Sequence, residues 1–331
     1  MKIKDTVGID MSKLTFDACI HSNQENREFK NTKKDYKKLV DWAYKSSDLS
    51  KESILFVFEH TGLYSHCLSV YLTSKNIPFL LVSGLEIKKS MGMVRGKSDK
   101  ADAKLIAKYG YRMRDEITPT KLSSEEEQSI KRLLNLRQRL VKQRSGYKAS
   151  LKEQKRVLIK KHNKTLLSTQ KKMITYLTKQ IKEVENEMMT ILKDNERILN
   201  NFKLITSING IGPQTALFII AYTANFTKFK TYRKFASYCG IAPFQNQSGT
   251  SIRGKTKVSH LANKKIKTLL DLCAKTSIQH NTEMKIYYEK RVAHGKNKMS
   301  TINIIRNKLL SRIFAVVNRN EPYVDTMKHA A

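Results

Sequence analysis

The first 118 residues alternate short apolar runs with amphipathic ones. Thr6 to Met11 is a short apolar stretch ending near Asp10, and Leu14 to Ile20 is a second, with Ser12-Lys13 as the turn between them. Arg27 to Lys30 fits a third strand. Asp35 to Ser46 carries Leu39, Trp42 and Ala43 at helical spacing. Ser53 to Glu59 (SILFVFE) is continuously apolar, as expected of a strand buried on both faces. Thr61-Gly62 interrupts it, Tyr64 to Lys75 reads as a helix, and Pro78 to Ser83 reads as another buried strand. Gly92, Gly96 and several lysines mark a loop, after which Asp99 to Met113 has helical spacing. A hairpin followed by alternating strands and helices predicts a mixed sheet covered by helices.

The pattern changes at Pro119. Ser124-x-x-Glu127 is a capping box, and three glutamates in the first turn suit the helix dipole. Leu133, Leu136, Leu140 and Tyr147 form one stripe. After a polar break at His162-Asn163, Ile174, Leu177, Ile181, Val184, Met188 and Ile191 alternate steps of three and four, a coiled-coil seam. A hairpin within the chain and a dimerisation arm both satisfy this pattern; one stripe per helix favours a second chain as the partner. Beyond Phe202 the chain reads as helical, with one irregular loop from Gly240 to His260. The expected class is α/β plus all-α. An α/β domain spans 1–118, coiled-coil or dimerisation helices span 119–201, and a helical domain spans 202–331.

Charge narrows the function. The chain has 63 Lys+Arg against 29 Asp+Glu, a net +34, so its expected partner is a polyanion, nucleic acid first. No apolar run approaches the ~20 residues of a spanning helix, and Met1 to Asp10 shows no signal-peptide core. A cytoplasmic protein without a membrane partner is expected. Cys19, Cys67, Cys239 and Cys273 are far apart and lack CxxC pairing, which argues against a zinc site or a disulfide framework and predicts buried thiols.

In so basic a chain, carboxylates at element ends call for explanation. Asp10 ends the opening strand, Glu59 ends the SILFVFE strand, and Asp99 and Asp102 share a face in the first turn of a helix. Carboxylates repel phosphate unless a divalent cation, Mg²⁺ or Mn²⁺, lies between them; metal-dependent phosphodiester chemistry resolves the conflict. For Asp99 and Asp102 the competing reading is plain helix capping. The four together, in this order, fit a ribonuclease-H-like fold. Ile208-x-Gly210-Ile211-Gly212-x-x-Thr215-Ala216 fits a helix-hairpin-helix, whose backbone N–H groups hold a DNA phosphate without reading sequence. In CGIAPFQNQSGTSIRGKTKVSH several hydroxyls stand beside Arg253, Lys255 and Lys257. Any of them could attack phosphorus, and the competing reading is a turn that contacts phosphate.

In order, the motifs are VGIDMSK, FVFEHTG, GKSDKADAKLIA, the long helical stretch, INGIGPQTA and YCGIAPFQNQSGTSIRGKTKVSHLANKKIKTLL. This order resembles the DEDD-type transposases of the insertion sequence 110 family, related to Piv-type DNA invertases, over essentially the whole chain. The resemblance implies a RuvC-like N-terminal domain with a metal-binding tetrad at Asp10, Glu59, Asp99 and Asp102. It also implies a C-terminal transposase domain whose nucleophile follows Gly240-x-x-Pro243 in a Ser-Gly motif, which selects Ser248. It implies donor and target DNA, a noncoding bridge RNA pairing with both, a dimer that assembles to a tetramer, a composite active site, and a nucleoid-associated setting in a bacterial or archaeal cell. The chain departs from the family at Gln247, where a second serine is common, and at Asn263-Lys264-Lys265-Ile266-Lys267, where Gly-x-x-x-Leu-Arg is common. Two rivals stand beside this reading: a RuvC-like junction nuclease that uses metal without a covalent intermediate, and a non-catalytic packaging protein.

Overall fold

The computed structural model describes residues 3–47, 49–50, 52–90, 92, 98–249 and 251–325, without the side chains of Ile252 and Arg253. Gly96 and Thr250 therefore lie outside the described residues. The chain divides into two compact units, Met1–Leu122 and Ser123–Ala331.

The first unit is built on a five-stranded sheet. Its strands are β1 (Asp5–Met11), β2 (Thr15–Ile20), β3 (Asn26–Lys30), β4 (Ile54–Glu59) and β5 (Phe79–Val82), in the order β3-β2-β1-β4-β5. β1, β2 and β3 pair antiparallel, while β1, β4 and β5 are parallel. β4 is buried along its length up to Glu59, as a central parallel strand should be. Helices α1 (Lys33–Ser47) and α2 (Leu63–Ser74) cover one face around Leu39, Trp42, Leu68, Phe56 and Phe58. Helices α3 (Gly84–Ser90) and α4 (Asp99–Met113) cover the other, around Val57, Ile87, Ile106 and Tyr109. α3 falls in a stretch that sequence patterning left unassigned before the Gly92 loop. Cys67 is exposed, contrary to expectation, because the buried side of α2 is Ser65, Leu68, Ser69 and Leu72.

The closest packing in this unit is α4 on β1. A Cβ at Gly8 would overlap the backbone nitrogen of Ala107 and the carbonyl oxygen of Ala103, so only glycine lets the helix lie this close. Thr6 Oγ1 donates to the Ala107 carbonyl at 2.7 Å, which locks the register. A side chain at Gly110 would likewise press on Val57 Cγ2, 2.6 Å from the added carbon. The small residues of α4 thus form the stripe that meets the sheet.

The second unit holds α5 (Glu125–Val157), α6 (Lys164–Lys193), α7 (Glu196–Thr206), α8 (Pro213–Thr223), α9 (Tyr232–Tyr238), α10 (Lys264–His280), α11 (Thr282–Ala293) and α12 (Lys298–Arg319), with strands β6 (Pro243–Ser248) and β7 (Ile252–Val258) between α9 and α10. The capping box at the start of α5 is formed: Glu127 N donates to Ser124 Oγ at 3.3 Å, and Ser124 N donates to the Glu127 carboxylate at 3.2 Å. α5 and α6 run antiparallel. Arg137 bonds Glu185, Arg144 bonds Thr178, and Gln170 bonds Gln154, each pair farther toward the tip than the last.

The seam of α6 is therefore covered from within. Leu177, Ile181, Val184 and Met188 are buried in the single chain, and Val184 and Met188 join Ile130 and Leu134 of α5 in one core. Periodicity had suggested a partner chain for this stripe; α5 supplies that cover. The Gly240–His260 stretch, expected to be irregular, is instead a two-stranded antiparallel hairpin of β6 and β7.

Candidate active site

Asp10 and Glu59 emerge side by side from the carboxyl ends of parallel neighbours. The β1–β4 register pairs Ile9 with Phe58, so the next residues on each strand are the two acids. Alternation puts Asp10 on the same face as Gly8, and Glu59 on the same face as Val57, the face covered by α4. Glu59 is half-buried rather than sealed. It sits at the carboxyl end of β4, paired with Val82 of β5, and its Oε1 lies 2.6 Å from where a side chain would begin at Gly84.

Helix α4 brings in the other two. Its N-cap is Ser98, whose Oγ accepts from Ala101 N at 3.2 Å. The capping role considered for Asp99 is thus filled by the preceding serine. Asp99 and Asp102 are left in the first turn, and no hydrogen bond or salt bridge to either carboxylate is seen among the described residues. Their negative charge suits the positive end of the helix dipole.

The electrostatic result falls on Asp10. Its carboxyl is pushed from 3.8 up to about 6, by burial first and then by Asp102, Asp99, Glu59 and Asp17 in turn. Asp17 is the residue that sequence reasoning missed. It stands directly across from Asp10 in the β1–β2 pairing, and its own carboxyl is raised by burial, then by Glu28 and Asp99. The cause of the miss is a register error. The turn is Lys13-Leu14, with Ser12 N donating to the Thr15 carbonyl at 3.0 Å, one residue later than the turn read from sequence.

These carboxylates sense one another without closing into a ligand shell. Among the described residues, no three His, Cys, Asp or Glu side chains are grouped closely enough to hold a metal ion as they are placed. The donor set is nevertheless all hard oxygen, which suits Mg²⁺ or Mn²⁺ and not a thiolate-seeking metal. The repulsion that raises Asp10 is the kind a divalent cation removes.

In the second unit, Ser248 closes strand β6, which is exposed from end to end. It pairs with Ile252, and Gly249 follows with φ +53° to begin the turn. Lys255 and Lys257 are exposed on β7; the side chain of Arg253 lies outside the described ones. Gly210 and Gly212 lie in the turn between α7 and α8. Gly210 has φ +94°, and a Cβ there would collide with Ser277 Oγ, so its conformation and its contact both demand glycine. Ile211 N donates to the Ile208 carbonyl at 3.0 Å, closing the turn. Gly212 is the exposed N-cap of α8, with Pro213 at the first helical position and open space where a side chain would project.

The chain is similar to known proteins over most of its length. A family model described as "Transposase", of the DEDD IS110 type, matches residues 7–158, and one described as "Transposase IS116/IS110/IS902 family" matches residues 202–289. The pilin gene-inverting protein of Moraxella bovis is 27% identical over 97% of this chain and 98% of its own length. The transposase for insertion sequence element IS1111A of Coxiella burnetii is 24% identical over 98% of this chain and 92% of its own. With two models of one family covering well over half of its length, and relatives aligned from end to end, the chain belongs to the IS110 family of transposases.

Proposed function

We propose that this protein cuts and rejoins DNA strands to mobilise its own insertion sequence, guided by a noncoding bridge RNA that pairs with donor and target DNA. The observation that carries the reading is the placement of Asp10 and Glu59 at the carboxyl ends of neighbouring parallel strands, on the face covered by the helix whose first turn holds Asp99 and Asp102, in a chain of net charge +34. Acids set at one end of a sheet within so basic a protein are a poor phosphate site alone and a good one beside a divalent cation. The family's recombination chemistry, and a relative named for inverting a pilin gene, point to strand cleavage and rejoining rather than packaging.

Asp10, Glu59, Asp99 and Asp102 would hold Mg²⁺ or Mn²⁺. When bound, such an ion neutralises charge on the attacked phosphate and makes an oxygen nucleophile easier to deprotonate. Ser248 is the proposed nucleophile. Its Oγ forms a bond to phosphorus as the bond from phosphorus to one strand end breaks, and the hydroxyl proton leaves with the released strand oxygen. A hydroxyl from another strand then attacks the phosphoserine, restoring Ser248 and a phosphodiester. The energy of the bond is conserved in the covalent link, so no nucleotide is consumed. Arg253, Lys255 and Lys257 offset phosphate charge near the hairpin, and the Gly210–Gly212 turn offers the N–H groups of α8 to a backbone phosphate as a helix-hairpin-helix does. We further propose the three-part division at 118 and 201, with α5 and α6 as a coiled-coil arm in a dimer that assembles to a tetramer.

The test is denaturing electrophoresis with end-labelled element-end DNA and bridge RNA. Wild type should yield a covalent protein–DNA adduct that requires Mg²⁺. Ser248→Ala and Asp10→Asn should yield none, although both still bind DNA. Cleavage that persists in Ser248→Ala without an adduct would establish the metal-only junction nuclease instead.

A further inference from the structure

At the base of the β6–β7 hairpin, an open groove of about 360 Å³ is lined by Ser237, Phe244, Lys257, Val258, Ser259 and Leu261. Phe244 is 48% exposed and Leu261 is 64% exposed. An aromatic ring displayed to solvent beside a second bare apolar side chain is costly unless something covers it. The rim says what. Phe244 pairs across the ribbon with Lys257, and exposed Lys255 lies two residues along the same strand. On the α9 side, Ser237 shares a helix face with exposed Arg233 and Lys234, one turn earlier. Among the described residues, none of these four cations is in a salt bridge.

We propose that this groove binds an unpaired nucleobase of a DNA single strand, stacked on Phe244, with the flanking phosphates on Lys257 and the cations of α9. The inference rests on the reading of Ser248 as nucleophile. A bare ring inside a cationic rim is the arrangement by which proteins hold single strands, because every base has a face to stack and every nucleotide has a phosphate. A paired duplex offers no free base face, so the occupant is unpaired. Strand exchange creates such bases on either side of a cut. Phe244 and Ser248 lie four residues apart on β6, about 13 Å at strand rise. That spans roughly four stacked nucleotides at 3.4 Å each. The groove would therefore grip the attacked strand a few nucleotides from its cut phosphate, which favours DNA over the guide RNA as the source of the base. The volume also suits one nucleotide, and Ser237 and Ser259 are among the residues that line it.

The full-length protein is titrated with labelled oligothymidine, oligouridine of equal length, and a duplex, using wild type, Phe244→Ala and Phe244→Trp, with melting temperature as the folding control. Phe244→Ala should weaken oligothymidine binding about 5- to 150-fold, the range for one lost stack. Duplex affinity should hold, and Phe244→Trp should keep single-strand affinity. Unchanged oligothymidine binding in a folded Phe244→Ala, or equal loss on duplex, overturns the inference; loss confined to oligouridine overturns the assignment to DNA. The adduct assay on the same preparations separates the two readings. An adduct with unaltered single-strand affinity sinks the groove alone, and selective single-strand loss without any wild-type adduct sinks Ser248 alone.

Discussion

Replacing Asp10 with Asn should make the metal-free protein more stable and the magnesium-loaded protein less so. The carboxyl of Asp10 rises from 3.8 to about 6 on folding. An acid with a folded value above its unfolded one binds more protons in the native state. Its contribution to stability therefore falls as pH climbs through the window from 3.8 to about 6 and stays reduced above it. At about 1.36 kcal/mol per pH unit, the full effect would be about 3 kcal/mol. Asp10 is only half-buried, and solvent screening roughly halves that figure, to about 1.5 kcal/mol. Asn keeps the shape and removes the charge, so in EDTA near neutral pH its melting point should exceed that of wild type by roughly 2 °C for a chain of 331 residues. The gain should shrink as pH falls from about 6 and vanish only at about pH 3, below the unfolded value of 3.8, where both states of wild type are largely protonated. A cation at about 100 times its Kd stabilises the native state by about 2.7 kcal/mol, and Asp10→Asn should forfeit most of this, reversing the order of melting. Calorimetry or circular dichroism across pH, with and without Mg²⁺, measures both effects. A variant less stable than wild type in EDTA at neutral pH, or equal magnesium shifts in the two proteins, would refute the reasoning.

Gly8→Ala forces a methyl into the backbone of α4, so it should cost about 1–3 kcal/mol and displace Asp99 and Asp102 from Asp10; thermal melts should show the first effect, and a fall of the Asp10 titration midpoint in carboxyl NMR the second. Met188→Lys places a charge in the core shared by α5 and α6, so loss of helical signal and of thermal stability should appear in the monomer itself. If sedimentation shows only dissociation with the helices intact, the seam faces a second chain after all. DNA affinity should fall steeply with salt, with a log–log slope near −0.9 for each neutralised phosphate; a flat response in a filter-binding series would contradict the role given to the +34 charge.

What could be read from sequence follows from which signals are local. SILFVFE announces a buried parallel strand because burial on both faces removes alternation, and β4 is that strand. The limits of α4 and the capping box of α5 were legible because caps and first-turn charges act within a few residues. The β6–β7 hairpin was not, since its β6 strand is exposed throughout and carries no apolar face to mark it. The partner of the α6 seam was not either. A stripe states which residues must be covered and is silent on whether the cover comes from the next helix or the next molecule.

The acidic cluster shows the same divide at the level of chemistry. Asp10, Glu59, Asp99 and Asp102 could be picked out one by one, as charges at the ends of apolar runs. Their strength of interaction depends on two things no local pattern carries. One is register: a turn one residue later exchanges Thr15 for Asp17 opposite Asp10, and so adds a fifth charge to the field. The other is the depth to which α4 sinks against β1, which is set by the missing side chain of Gly8 and the carbonyl of Ala107 that Thr6 holds. Coulomb energy varies with the inverse of distance, so a helix held off by one methyl group would weaken the repulsion of Asp99 and Asp102 on Asp10. Gly8 carries no charge and would touch no ligand. By letting the helix close on the strand, it helps to set both the burial of Asp10 and the distance of its acidic neighbours, the two causes that raise its proton affinity.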